Sequence, residues 1–96
     1  MKIEYGKLWR ADGRFEEVLP NDGKKFSLSE LQGFVGGNIE LVPRSEPHAY
    51  CNEEGTLDGL PINLEASKVF NSQNICGVLL CGDVIQVCKR APTAKS

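Results

Sequence analysis

Apolar and polar positions alternate over the first twenty residues, where Ile3, Tyr5 and Trp9 share one parity and Phe15 and Leu19 follow the reversal signal Asp12-Gly13. A period of two bracketed around Asp-Gly predicts a β-hairpin. A three-residue loop, Asp12-Gly13-Arg14, keeps the aromatic residues on one face and sets Arg10 opposite Glu16. Pro20 to Lys25, built from Pro, Asn, Asp, Gly and two Lys, has the composition of a surface connection. The period then changes to that of a helix. Ser27 and Glu30 form a capping box, Phe26 and Leu31 occupy the staple positions, and Leu28, Leu31 and Val35 line one face with Phe34 beside them. Gly36-Gly37 supplies the left-handed stop, so the helix spans residues 28–35. Gln32, beside the apolar stripe, reads as a solvated or turn-bonding amide.

Asn38 to Val42 alternates again and ends at Pro43, which predicts a strand. Arg44 to His48 reads as a flexible, variable loop, and Ala49 to Cys51 as the next strand. Asn52-Glu53-Glu54-Gly55 matches a type I turn with a left-handed glycine bulge, with Cys51 and Thr56 on paired strands. Gly59-Leu60-Pro61 closes the return strand, and Asn63 can cap a second helix over 64–70. Ile75 to Leu80 and Val84 to Cys88 are continuous apolar runs about a Cys81-Gly82-Asp83 turn, which predicts central strands buried on both sides. The expected fold is a small α+β domain over residues 1–90. It has a mostly antiparallel sheet of five to six strands, one or two short helices packed on one face, and a frayed tail at 91–96.

Composition narrows the chemistry. At 96 residues the chain has room for one modest core, and 41% hydrophobic with 25% charged residues is ordinary for a globular domain. A formal net charge of −2 gives no electrostatic footprint, so neither duplex nucleic acid nor a membrane is expected as a partner. The amino-terminal residues form no secretory signal and no apolar run is long enough to span a bilayer, which predicts a soluble cytoplasmic protein. In a reducing compartment Cys51, Cys76, Cys81 and Cys88 behave as small buried hydrophobes. A zinc site drawn from His48, Cys51, Cys76 and Cys81 lacks the Cys-x-x-Cys spacing, so no metal or other cofactor is expected. A Cys51 nucleophile with His48 as base fails because residues three apart on a strand face opposite ways. Glu53 and Glu54 are adjacent turn residues that diverge into water, unlike the paired carboxylates of a glycosidase.

Two stretches, Leu31-Gln32-x-x-Val35-Gly36-Gly37-x-Ile39-Glu40 and Cys51-Asn52-Glu53-Glu54-Gly55-x-Leu57-x-Gly59-Leu60-Pro61-x-Asn63, stand in order along the middle third of the chain. Together, with a looser echo at Gly82-Asp83-Val84, they resemble a small domain of unknown function known from bacteriophages, bacteria and mobile elements. That resemblance implies a shared compact scaffold and a phage or mobile-element setting, and it carries no activity.

The residues thus predict a non-enzymatic interaction module that contacts an unidentified macromolecular partner through the Arg44–His48 loop and the Glu53-Glu54 tip, with Asn52 and Asn63 as further candidate contacts. The alternative is a small-ligand or nucleotide binder. There Gly36-Gly37, Gly55 and Gly59 would let backbone amides approach an anion, and the open sheet edges would let a second copy form a homo-oligomer.

Overall fold

The computed structural model describes residues 2–42, 45–54, 59–71 and 80–90. Five antiparallel strands form one sheet: β1 (Ile3–Trp9), β2 (Phe15–Val18), β3 (Ile39–Leu41), β4 (Ala49–Asn52) and β5 (Val84–Arg90), in the order β2-β1-β5-β4-β3. Two helices, α1 (Leu28–Val35) and α2 (Leu64–Asn71), complete the small α+β fold. None of the described helices is long and apolar enough to cross a membrane.

The apolar run Val84 to Cys88 lies at the centre of the sheet, flanked by β1 and β4. Successive strand residues point to opposite faces, so Val84 and Ile85 enter different cores. One core gathers Leu8, Ile85, Phe26 and the α1 residues Leu31 and Val35. The other gathers Val42, Ala49, Cys51, Leu80 and Val84 with Ala66 and Phe70 of α2. The expected helices are therefore both present, but each covers its own face rather than sharing one. A central strand with apolar residues on both faces, Val84 and Cys88 on one and Ile85 and Val87 on the other, requires this, because a bare face would leave half of them in water.

α1 begins where the capping box places it. Ser27 Oγ accepts from Glu30 N at 3.1 Å and Glu30 Oε1 accepts from Ser27 N at 2.9 Å. These bonds, together with the amide of Asn21 on the other carboxylate oxygen, hold the Glu30 carboxyl below its usual range. At the far end Gly36 takes φ +81° and closes the helix in the left-handed conformation. Gln32 is turned to Asn38, with Nε2 donating to Oδ1 at 3.2 Å.

The first hairpin differs from expectation by one residue. Arg10 N donates to Arg14 O and Gly13 N to Arg10 O, so the turn is Ala11-Asp12-Gly13 and Leu8, not Arg10, lies opposite Glu16. Asp12 causes the shift: its Oδ1 accepts from Arg14 N two residues on, which makes Asp12 the turn's pivot, and Gly13 absorbs φ +97°. Trp9 and Phe15 still meet, at 5.3 Å between ring centroids, and Arg10 reaches Glu16 diagonally at 2.6 Å. The segment 45–48 is also better anchored than a flexible loop. Buried Ser45 donates Oγ–H to Val42 O and accepts from Ala49 N, while Gln86 Nε2 donates to Pro47 O. Of the apolar run Ile75 to Leu80, which predicts a central strand, only Leu80 is described and it lies outside the strands; residues 72–79, Thr56 and the tail at 91–96 lie outside the described residues.

Candidate functional site

The chain threads repeatedly through one end of the sheet, the end where β1 and β4 finish and β3 and β5 begin. There a groove of about 360 Å³ opens between the last turn of α1 (Gly33, Phe34, Val35, Gly36), the hairpin residues Arg10 and Ala11, and the turns at Leu60-Pro61 and Gly82-Asp83. Residues from all three motif stretches thus line a single surface.

Asp83 organises one wall: its Oδ1 accepts from Ala11 N at 2.9 Å and its Oδ2 from Arg10 NH1 at 3.1 Å. Arg10 lies between Asp83 and Glu16, and its bond to Glu16 raises the guanidinium pKa above the usual value. The opposite wall is apolar, from Phe34, Val35, Leu60 and Pro61. Segments 61–63 and 80–82 run antiparallel beneath it, joined by Asn63 N to Leu80 O at 2.7 Å and Gly82 N to Pro61 O at 2.8 Å.

Asn63 is the fastening under this groove and is fully buried. Its Oδ1 accepts from Ala66 N at 3.0 Å as the cap of α2, and its Nδ2 donates to both Trp9 O and Gly82 O at 2.8 Å. Asn52 does similar work on the other side. Nδ2 donates to Val35 O at 3.2 Å and Oδ1 accepts from Glu54 N at 2.7 Å, tying the end of α1 to the turn after β4. Both asparagines are therefore withdrawn from solvent, with their side chains bonded within the chain.

The remaining candidates do not form one surface. Glu53 and Glu54 are exposed beside the groove, with Glu53 N donating to Asn38 O. His48 is exposed at the opposite end of β4, where its carbonyl accepts from Val87 N. His48 and Glu53 flank the four-residue strand, five steps apart, which separates them by roughly 16 Å of rise. Arg44, Gly55, Leu57 and Cys76 lie outside the described residues.

Gly36-Gly37, read as an anion cradle in the alternative, has both amides committed to Gln32 O. Among the described residues no three His, Cys, Asp or Glu side chains converge as metal ligands. Burial pushes the Cys51 thiol up to about 11, and its Sγ lies 3.7 Å from Glu40 O. At pH 8 that leaves roughly one thiolate in a thousand, too little for a nucleophile. With dithionitrobenzoate at pH 8, Cys51 should label at least about tenfold more slowly than half-buried Cys81, as mapped by peptide mass; equal rates would contradict this placement.

Gly33 gave no signal in the sequence. It lies inside α1, where glycine costs about 1 kcal/mol relative to alanine. A Cβ built on it would meet nothing within 4 Å, and its φ is not left-handed. Among the described residues no contact accounts for the missing side chain. Its place on the groove is the observation that a search for helix-breaking glycines could have raised.

A family model described as a domain of unknown function, DUF3846, matches residues 12–90. No curated protein and no solved structure matches the chain.

Proposed function

We propose, from the premise that this chain belongs to the DUF3846 family of domains of unknown function, that it is a non-catalytic interaction module whose contact surface is the groove beside α1. Gly33 carries the proposal. A glycine inside a helix, with no described residue within 4 Å of the Cβ it lacks, is a cost to the fold, and it leaves the helix backbone bare for close approach by another molecule. The groove suits a polypeptide segment with an apolar residue flanked by Lys or Arg. Phe34, Val35, Leu60 and Pro61 offer apolar contact, while exposed Glu53 and Glu54 and a helix C-terminus without a basic residue in its last turn favour a cation. The phage or mobile-element setting implied by the motifs makes a host cytoplasmic protein the partner class.

The experiment separates stability from binding. Gly33→Ala should raise stability by about 0.5 to 1 kcal/mol in urea unfolding, since the added methyl reaches no neighbour. The same change, and more so Gly33→Leu, should reduce retention of any protein recovered by the wild-type domain on crosslinked pull-down. Glu53→Lys with Glu54→Lys should do likewise. Variants that keep full retention of every recovered protein would remove the reading.

A further inference from the structure

We propose that the opposite end of the sheet binds a polyphosphate group. Lys2, Lys24, Lys25 and Lys89 surround a depression of about 410 Å³ whose one carboxylate is Glu4. Glu4 and Lys89 are cross-strand neighbours on β1 and β5, so both point to the α1 face. Among the described residues the ion pairs involve Arg10, Arg14 and Lys68, and none of the four basin lysines takes part. Four lysines against one carboxylate leave the depression with a local excess of positive charge that an anion would offset.

The lysines are placed by the backbone rather than left on a loose loop. Asp22 Oδ1 accepts from both Lys24 N and Lys25 N, at 2.8 and 2.9 Å. Glu4 N donates to Lys24 O and Glu4 Oε1 accepts from Phe26 N, both at 2.8 Å, so the connection is stitched to β1. Arg90, with its guanidinium 4.5 Å from the Tyr5 ring centroid, lies one residue on from Lys89 and so on the other face of the sheet, outside the basin. The neighbouring depression at the start of α1 has the opposite character. It shares Lys25, but Asp22 and Glu30 also line it and Ser27 and Glu30 bond amides at the helix start, so it holds more negative than positive charge and an anion favours the lysine basin.

Lysine binds phosphate as a compact point charge, and several lysines around one basin favour an anion carrying several charges close together. The basin is lined by Lys and Glu alone, with no aromatic plane on which a base could stack. The recognised chemistry is thus the polyphosphate itself, whether free or carried by a nucleotide. A net charge of −2 conceals this local field, because the lysines come from distant parts of the sequence. The basin lies at the other end of the sheet from the groove, so the two readings succeed or fail separately.

The test is an amide-resolved NMR titration of the whole chain with inorganic tripolyphosphate, ATP, adenosine and orthophosphate. Tripolyphosphate and ATP should shift the same amides, around residues 2–4, 24–26 and 88–90, and weaken with added salt. Adenosine should shift none, and orthophosphate should bind at least about tenfold more weakly. Lys24→Glu and Lys89→Glu should each weaken tripolyphosphate at least about tenfold, while Lys68→Glu on α2 leaves it unchanged. No shift at millimolar tripolyphosphate, shifts elsewhere, or an equal loss in the Lys68 variant would overturn the site. A single-stranded oligonucleotide without terminal phosphates that binds more tightly than tripolyphosphate would overturn it too, by showing recognition of an extended backbone. Unfolding midpoints of the charge-reversed variants at or above wild type would show that lost binding is not lost folding.

Discussion

Asn63→Ala is expected to destabilise the domain by about 3 to 5 kcal/mol, because one substitution removes a helix cap and orphans one buried and one part-buried carbonyl. The cap, Oδ1 to Ala66 N, is worth about 1 kcal/mol. Gly82 O loses its bond to Nδ2 at about 1 to 3 kcal/mol for an orphaned buried acceptor, and part-buried Trp9 O loses its bond at about 1 kcal/mol. Domains of this size have about 5 to 15 kcal/mol in total, so much of the stability is at stake. Urea unfolding should show a lower midpoint at unchanged slope, and a loss below about 1 kcal/mol would contradict the assignment.

Asn63→Asp sharpens the test. A carboxylate can still accept from Ala66 N but cannot donate to Trp9 O and Gly82 O, and it sits buried against both. Its folded pKa should therefore be raised above the unfolded value of about 4. A raised folded pKa means the variant is least impaired below that pH and loses stability as pH rises through the folded value. An Asn63→Asp deficit that is flat between acid and neutral pH would rule out the two donated bonds.

The same residue shows what was legible in the sequence. Asn63 followed by a weakly periodic stretch was readable as an N-cap, because capping is a relation between residues three apart. Its two donated bonds were not, since they join positions 54 and 19 residues away that only the closed sheet brings together. The capping box of α1 was readable for the same local reason, down to its limits at Leu28 and Val35. The run Val84 to Cys88 indicated a central strand buried on both sides, and it follows physically that a helix must cover each face. The hairpin register was ambiguous because Asp12 can pivot the turn or merely occupy it, and only its bond to Arg14 N decides. For the functional surfaces, single residues carried little. His48 and Glu53 are near in sequence but at opposite ends of β4, while Lys2, Lys24, Lys25 and Lys89 are remote in sequence and share one basin.

The pair Gly36-Gly37 reads in sequence as one left-handed stop, yet the structure gives its members different work. Only Gly36 has positive φ, whereas a Cβ on Gly37 would lie 2.8 Å from Asn52 Nδ2. That amide cannot swing aside freely, because it is buried and bonded to Val35 O on one side and Glu54 N on the other. Gly37→Ala should therefore cost about 1 to 3 kcal/mol, the usual range for forcing a methyl into a packed site. Asn52→Ala should cost about 2 to 3 kcal/mol through the lost bonds. Combined, the two should fall short of their sum by about 1 to 2 kcal/mol, since the alanine at 37 fills space that the amide has left. Strict additivity in the urea double-mutant cycle would mean that Gly37 is tolerated for some reason other than the Asn52 amide. Coupling of the expected size would establish that the end of α1, and with it the Gly33 face of the groove, is held in position by the turn that carries Glu53 and Glu54.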